Sequence, residues 1–209
     1  MLDKSVSILD ALETGPLPLA GLVDATGLSR ATAHRLAVAL EVHGLVRRDE
    51  GGRFALGPRL TGLALPQLAA PALEELREAT GESVQLYVRR GDRRLCVASL
   101  ESPHGLRTIV EVGALLPLDV GSAGRVLSEE PDAVRRGWAE SVEERQRGVA
   151  SVSAPVHDAD GRLLAAVSVS GPVERTTRSP AERYADAVLR AAKEIESALL
   201  TANAGRRSL

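Results

Sequence analysis

Cysteine and aromatic residues are almost absent from this chain. Cys96 is the only cysteine, so no intramolecular disulfide can form, which fits a protein of the reducing cytoplasm. Aromatic residues make up 2% of the sequence and apolar residues 44%, so leucine, valine and alanine must build the core. No run approaches the ~20 apolar residues that a membrane-spanning helix needs, and no apolar signal segment opens the chain. We therefore expect a soluble, cytoplasmic protein with no membrane partner.

An excess of charge of one sign is also absent. The formal net charge is −2 over 209 residues. Residues 1–59 hold seven basic and seven acidic side chains. This balance excludes a generic polyanion binder, because such proteins carry a strongly basic surface. Any affinity for DNA must therefore come from a few placed contacts and from dimerisation.

The sequence also lacks recognisable catalytic and metal-binding patterns. It contains no G-x-S-x-G elbow, no P-loop and no Rossmann fingerprint. Four histidines share no metal-ligand spacing with Cys96 or with one another, namely His34, His43, His104 and His157. We therefore predict no enzyme activity, no cofactor and no metal site. Cys96 lies in a predicted strand and is expected to be a small core residue and not a redox sensor.

Residues 18–53 have the pattern of a winged helix-turn-helix. Apolar residues at helical spacing predict a first helix, which Gly27 can end because glycine tolerates a positive φ. Ser29 can cap the next helix, which is predicted from Arg30 to His43. Its buried stripe is predicted to consist of Ala33, Leu36, Ala37 and Leu40. Gly44 ends this helix, and a β-hairpin, the wing, follows.

The polar face of the second helix predicts contact with DNA. A recognition helix presents its N-terminal residues to base edges in the major groove, where arginine reaches base acceptors or phosphates. Arginines on the hairpin would meet the DNA backbone or the minor groove. The predicted DNA-binding residues are Ser29, Arg30, Ala31, Thr32, His34, Arg35, Arg47, Arg48 and Arg53. A solvated basic face is the alternative, since short helix pairs also occur in proteins that touch no DNA.

After Glu82 the period of the apolar pattern changes to two, which indicates strands. Two alternating runs on either side of Gly91-Asp92 predict an antiparallel hairpin. Further strands are predicted over residues 106–112, 149–156 and 163–170. Short helices are predicted over residues 121–127 and 131–136, and a long helix after Ser179-Pro180. This pattern is typical of an α+β domain in which helices flank an antiparallel sheet.

Residues 60–71 are predicted to form a linker helix between two domains. Leu60, Leu63 and Ala64 favour a helix there, and Pro66 and Pro71 are expected to interrupt it. The predicted organisation is a winged helix-turn-helix domain over 1–59, the linker over 60–71, a second domain over 72–203 and a disordered tail over 204–209.

Three N-terminal segments follow one another as SVSILDALE, LAGLVDATGLSRATAHRLAVALEVHGLVRRD and GRFALGPRL. In this order they closely resemble the IclR family of bacterial transcriptional regulators. The resemblance continues through TGESVQLYVRRGD, LPLDVGSAGRVL, RRGWAES and GVASVSAPVHDADGRLLAAVSVSGP, and so covers nearly the whole chain. It is strongest to an actinobacterial subgroup associated with amino-acid biosynthesis, including that of leucine. The chain departs from the family pattern in a shortened linker and between Val126 and Arg136, where relatives carry a longer helical stretch.

The resemblance implies a GAF-like second domain that binds a small-molecule effector, such as an amino acid or a small carboxylate. The implied effector-binding residues are Leu118, Ser122, Ala123, Glu144, Ser151 and Ser153. Because Ser151 and Ser153 lie two positions apart, they share one face of their strand, where hydroxyls can orient a polar ligand. The alternative is that small residues there only allow a helix to pack closely on the sheet. The segment Glu143-Glu144-Arg145 fits a solvated turn as well as a site.

The implied function is that of an effector-responsive transcription factor. A two-fold homodimer or homotetramer would bind a pseudo-palindromic operator in double-stranded DNA, and the effector would change the spacing of its recognition helices. The alternative is a GAF-like metabolite-binding protein or enzyme whose N-terminal module mediates a protein interaction. The arginines of helix and wing favour the regulator.

Overall fold

The structure, a computed structural model, describes residues 1–49 and 51–205, which divide into two compact units. The first unit comprises Met1–Leu65 together with the described residues from Thr201 onward. The second comprises Pro66–Leu200. The division therefore falls inside the segment predicted as a linker.

Three complete helices and a two-stranded hairpin lie within the first unit. They are α1 (Leu2–Glu13), α2 (Leu19–Thr26), α3 (Arg30–Val42), β1 (Val46–Arg48) and β2 (Phe54–Leu56). The strands pair antiparallel, and Leu17 exchanges both backbone hydrogen bonds with Phe54 at 2.8 Å. A core that includes Ile8, Leu22 and Leu36 packs around Phe54, the only phenylalanine. The predicted winged helix-turn-helix is thus confirmed.

The turn between α2 and α3 follows directly from its residues. Gly27 adopts φ 66°, a left-handed conformation that costs other residues energy, and its N–H donates to the carbonyl of Val23 at 2.9 Å. Ser29 caps α3, since its Oγ accepts the N–H of Thr32 at 3.4 Å. The predicted buried stripe of α3 is confirmed at all four positions, Ala33, Leu36, Ala37 and Leu40.

A single helix, α4 (Pro58–Thr80), extends beyond both ends of the segment predicted as a linker helix. Pro66 and Pro71 lie inside it, so the predicted interruption is wrong. The buried residues Leu65, Ala69, Ala72, Leu73 and Leu76 recur every three or four positions through both prolines. Packing of this continuous stripe outweighs the hydrogen bonds that the two prolines remove.

Six antiparallel strands form the sheet of the second unit. They are β3 (Ser83–Arg90), β4 (Arg93–Leu100), β5 (Leu115–Pro117), β6 (Ala139–Val142), β7 (Val149–His157) and β8 (Leu163–Pro172), in the order β5-β4-β3-β8-β7-β6. Besides most of α4, the unit contains four helices that begin within it, α5 (Ser122–Leu127), α6 (Pro131–Arg136), α7 (Val173–Thr176) and α8 (Pro180–Gly205). The predicted α+β class is confirmed, whereas β6 and α7 are too short for a periodic pattern to reveal them.

Residues 106–112 do not form the predicted strand. Burial does alternate along part of the segment, because Thr108 and Val110 are buried while Ile109 is exposed. Its backbone carbonyls, however, accept hydrogen bonds from side chains: Ser83 donates to Thr108 and Arg175 donates to Leu106. The edge of β4 pairs with β5 instead, so an extended segment carries a strand-like pattern without a strand ladder.

The predicted long C-terminal helix is present as α8, and its buried residues recur every three or four positions at Tyr184, Val188, Ala191, Ile195 and Leu199. Glu196 of this helix accepts the backbone N–H of His157 from β7 at 2.8 Å. The helix runs through 204 and 205, the first two residues of the predicted tail. The remainder of that tail, 206–209, lies outside the described residues.

Candidate functional site

The N-terminal half of α3 presents an exposed polar surface. Arg30, Ala31, His34 and Arg35 are exposed, Thr32 is half-buried, and the intervening Ala33 faces the core. Ser29 is exposed as well, but its Oγ is already engaged with the N–H and, at 2.9 Å, the hydroxyl of Thr32. The structure therefore assigns Ser29 a capping role in addition to any contact with DNA.

The arginines of this unit divide into unpaired and paired ones. Within residues 1–49 and 51–205, the side chains of Arg30 and Arg35 make no hydrogen bond or ion pair. On the wing, Arg48 contacts Glu41 at 3.3 Å and lies over the ring of Phe54, 4.5 Å from its centroid. Among the described arginines of this unit, those without a protein partner thus lie on α3.

The turn of the wing is held by Asp49 and Arg53. The carboxylate of Asp49 accepts the backbone N–H of Arg53 at 2.9 Å and its guanidinium at 2.8 Å. The backbone N–H of Arg53, helped by its guanidinium, lowers the pKa of Asp49. Arg47 lies half-buried in the middle of β1, opposite Ala55. The predicted wing arginines are therefore brought together on one hairpin, where part of their charge stabilises the wing itself.

In the second unit, polar residues occupy one face of four neighbouring strands. Two rows cross the sheet in register, Ser83, Ser170, Ser151 and Ser141 in the first, and Gln85, Ser168 and Ser153 in the second. Val84, Val152 and Val169 alternate with them and are buried on the opposite face. The short helix α5 packs against β3, β6, β7 and β8.

Hydrogen bonds join the serines to one another. Ser122 Oγ lies 2.7 Å from both Ser151 Oγ and Ser153 Oγ. Ser153 Oγ donates to Ser168 Oγ at 2.9 Å, and Ser141 Oγ accepts the N–H of Ser122 at 3.2 Å. Each hydroxyl can donate and accept, so the network can turn toward a polar ligand without losing every bond.

A cavity of about 30 Å³ lies beside this network. Its wall includes Gln85, Tyr87 and Arg94 from the sheet, and Arg145 and Gln146 from the loop between β6 and β7. A buried water needs about 10–15 Å³, while sites for small molecules usually measure about 300–1,000 Å³. The cavity is therefore too small in this structure for a ligand larger than water, unless part of the wall moves.

Arg94 is the most buried arginine at this cavity, with 3% of its surface exposed. Its Nη1 donates to the carbonyls of Pro117 and Val120, and its guanidinium lies 5.4 Å from the centre of the Tyr87 ring. Burial lowers the pKa of Arg94 and raises that of Tyr87. A Cβ at Gly124 would collide with the carbonyl of Leu118 and lie 2.8 Å from Nη1, so only glycine fits beside this arginine.

The structure brings most of the predicted effector-binding residues together. Ser122, Ala123 and Ser151 line the cavity, and Ser153 is bonded directly behind them. Glu144 accepts the N–H of Gly121 at 2.9 Å and forms an ion pair with Arg125. Leu118 is not part of the lining, because it is buried in the apolar cluster that contains Tyr87, Cys96 and Val126.

A larger groove of about 430 Å³ lies along α6, in the stretch predicted to be shortened. Trp138 and Arg136 line it, and the guanidinium of Arg136 lies 5.3 Å from the centre of the indole ring. Asp132, also in its wall, is paired with Arg135 at 2.9 Å. No buried unpartnered polar atom among the described residues faces this groove.

Three further questions raised by the sequence concern the reactivity of Cys96, metal binding and membrane-spanning helices. Cys96 is fully buried, and this burial raises the pKa of its thiol to about 11, as expected for an unreactive core cysteine. Over the described part of the chain, no three histidine, cysteine or acidic side chains gather where they could hold a metal ion. Among the described helices, none combines the length and apolarity required to cross a membrane.

Sequence reasoning missed two buried polar side chains of the cavity, Gln85 and Arg94. For Gln85 a signal existed, because it stands between Val84 and Leu86 in an apolar strand and shares its face with Ser83. For Arg94 no signal existed, since four arginines surround the Gly91-Asp92 turn and any of them could be solvated. Only the packing of α5 shows which one is buried.

Two family profiles match the chain over most of its length. Residues 1–50 match the IclR helix-turn-helix domain. Residues 59–133 and 129–197 match the C-terminal domain of the bacterial transcriptional regulator IclR. The second profile matches as two segments that meet at 129–133, inside the stretch predicted to be shortened.

Individual relatives match over similar lengths. The glycerol operon regulatory protein of Streptomyces coelicolor is 32% identical in an alignment that covers 85% of this chain and 86% of the relative. The crystal structure of an IclR-family transcriptional regulator from Rhodococcus sp. superposes with a TM-score of 0.66 at 26% identity, covering 94% and 92% of the two chains. An IclR homologue from Microbacterium hydrocarbonoxydans, crystallised with 4-hydroxybenzoate, shares the fold with a TM-score of 0.59 at 20% identity, covering 96% and 99%.

These matches decide between the two function classes. The relatives are regulators by name, and the profiles cover both the helix-turn-helix and the second domain. The enzyme alternative is thereby removed. The amino-acid subgroup is not tested by these matches. The chain belongs to the IclR family of bacterial transcriptional regulators, with a DNA-binding helix-turn-helix and a C-terminal effector domain.

Proposed function

We propose that the protein binds a pseudo-palindromic operator as a homodimer or homotetramer, through α3 and the wing of each chain. The observation that carries this proposal is the pair of unpaired, exposed arginines at the start of α3, Arg30 and Arg35. An arginine without a protein partner loses no existing ion pair when it meets a base edge or a phosphate. Ala31, Thr32 and His34 beside them leave room for close approach to the major groove.

The wing supports the same proposal in a different way. Arg48 pairs with Glu41 of α3, and Arg53 pairs with Asp49 within the hairpin. Arg47 lies beside Arg48 on β1. We therefore expect the wing to present a positively charged edge to the DNA backbone, while α3 contacts both base edges and phosphates. Loss of a wing arginine should weaken binding to all DNA sequences alike.

A small-molecule effector in the C-terminal domain completes the proposal. The serine network under α5 and its cavity support a polar ligand there, held by Ser122, Ala123, Ser151 and Ser153. Glu144 belongs to the loop that would have to move, because it ties that loop to Gly121 and Arg125. Effector binding would then change the spacing between the two recognition helices.

The decisive experiment measures binding of the purified protein to the intergenic DNA upstream of its own gene, beside scrambled DNA of equal length. We expect a clear preference for the upstream DNA. Arg35→Ala should weaken that binding by about 1–3 kcal/mol, because a base or phosphate contact is lost. Footprinting should show two half-sites related by a two-fold axis.

Arg190→Ala is the matched control, since it removes an exposed arginine from α8 in the other unit. It should leave operator affinity unchanged. Equal binding to upstream and scrambled DNA, with and without a pooled metabolite extract, would contradict the proposal. Chromosome-wide mapping of the bound sites tests the further proposal that the regulated genes serve amino-acid biosynthesis, including that of leucine.

A further inference from the structure

Two buried polar atoms at the cavity have no hydrogen-bond partner, and both are donors. They are Nε2 of Gln85 and Nε of Arg94. Gln85 is 1% exposed and Arg94 is 3% exposed, and both side chains line the cavity. A buried donor without an acceptor costs about 1–3 kcal/mol, so such groups usually have a partner. A ligand or a water molecule with hydrogen-bond acceptors would therefore satisfy the two unpartnered donors of the cavity.

The amide of Gln85 is held in a defined orientation. Its Oε1 accepts the hydroxyl of Ser170 at 2.9 Å, which leaves Nε2 as the group available to a ligand. Arg94 is held equally firmly, since its Nη1 donates to the two carbonyls of Pro117 and Val120. Both donors are thus preorganised, and little side-chain entropy remains to be lost on binding.

The charges around the cavity are predominantly positive. Arg94 forms no ion pair with any carboxylate in the part of the chain that the structure describes, and Arg145 adds a second positive charge to the wall. Asp119 is near enough to influence Arg94, but it is exposed. Glu144 lies beyond the lining, where Arg125 and the N–H of Gly121 engage it.

We infer that this cavity binds a small hydroxycarboxylate, with its carboxylate held by Arg94 and Gln85 and its hydroxyl by the serine network. The inference rests on the proposed effector role of the domain and names the ligand class for it. A carboxylate offers paired acceptors that match the fork of a guanidinium. Serine hydroxyls from α5, β6 and β7 can exchange donor and acceptor roles with a ligand hydroxyl.

The same groups disfavour an amino acid of equal size. Its ammonium group would lie close to the charges of Arg94 and Arg145, and it needs acceptors where the unpartnered groups are donors. An uncharged alcohol would leave Arg94 without a counter-charge in a poorly solvated site. The structure therefore predicts an order of affinity in which the hydroxy acid precedes the amino acid and the alcohol.

Calorimetric titration of the full chain with matched ligands tests this order. Each of the first two sets compares a hydroxy acid with an amino acid and an alcohol: lactate with alanine and propylene glycol, and glycerate with serine and glycerol. The third set compares the hydroxy analogue of leucine with leucine itself. We expect at least one hydroxy acid to bind, with an affinity about tenfold or more above the other members of its set. The inference is overturned if no hydroxy acid binds at about 10 mM, or if an amino acid or alcohol binds equally well.

Two variants test the named residues. Gln85→Glu keeps the shape and the acceptor for Ser170 but replaces the free donor by a negative charge, so affinity for the hydroxy acid should fall about tenfold or more. Arg94→Met should abolish binding, and Arg190→Met, the matched control, should preserve it. Circular dichroism and the melting temperature show whether each variant folds. A folded Gln85→Glu with wild-type affinity would overturn the assignment.

Operator binding without ligand separates this inference from the proposed function. If the wild type selects its operator but binds no hydroxy acid, the ligand class is wrong and the regulator proposal stands. If a hydroxy acid binds while operator and scrambled DNA are bound alike, the cavity is assigned correctly and the operator proposal fails.

Discussion

At the residue scale, one buried carboxylate depends on a single arginine. Glu82 is 2% exposed, and its two oxygens accept Nε and Nη2 of Arg175 at 2.7 and 2.9 Å. This carboxylate also raises the pKa of Arg175. Removing the arginine leaves a buried, unpaired charge, which typically costs about 3 kcal/mol or more. We therefore expect Arg175→Met to lower the free energy of unfolding by about that amount, as measured by urea denaturation.

Arg178, three positions further on, offers a matched comparison. It also pairs with a glutamate, Glu143, at 3.0 Å, but its side chain is 73% exposed where that of Arg175 is 29% exposed. Exposed pairs contribute about 0–1 kcal/mol, so Arg178→Met should have little effect on stability. If both variants lost the same free energy of unfolding, the burial of Glu82 would not be the reason for the destabilisation of Arg175→Met.

At the scale of the element, Ser29 connects the stability of α3 with its proposed contact to DNA. Its Oγ caps the helix by accepting the N–H of Thr32. Ser29→Ala should therefore lower the stability of the first unit by about 1 kcal/mol. Ser29→Asp should restore stability, because aspartate caps equally well, and yet weaken operator binding through its negative charge. Thermal unfolding and a DNA-binding titration measure the two effects separately.

Thr14 supplies a comparison outside α3, since its hydroxyl donates to the carbonyl of Ala11 on α1. Thr14→Asp adds the same charge away from α3 and should leave operator affinity near the wild-type value. If Ser29→Asp binds the operator as tightly as the wild type, the start of α3 does not face DNA.

At the scale of the whole molecule, the charge balance predicts how salt acts on DNA binding. The chain has a net charge of −2, so only placed cations release counterions from DNA. Arg30 and Arg35 are such cations. Replacing both by alanine should reduce the slope of log affinity against log salt by about two for each copy of α3 that touches the operator. Fluorescence anisotropy across a series of salt concentrations gives this slope.

Arg190→Ala again serves as the reference, because it changes the net charge of the chain without changing α3. Its slope should equal that of the wild type. A double Arg30, Arg35 variant with an unchanged slope would place the phosphate contacts elsewhere, and the wing would then be the first region to examine.

Local patterns predicted the features that depend on neighbours in the chain. Gly27, Ser29 and the stripe of α3 lie within a few residues of the atoms they contact, so spacing alone revealed them. The prolines of α4 misled the prediction because a stripe of buried residues along the helix outweighs their local effect. The segment 106–112 misled it because alternation reports burial and does not report a strand partner.

The winged helix-turn-helix, the α+β second domain and the polar character of the serines followed from the sequence by itself, because each arises from periodicity and short-range turn chemistry. Tertiary structure alone decided which arginines stand free. Glu41 reaches Arg48 only once α3 and the wing are packed. The tertiary structure also decided that Gln85 and Arg94 meet at one cavity. The two residues belong to different strands and are buried where α5 lies on the sheet. Burial depends on contacts between distant parts of the chain, which no local pattern encodes.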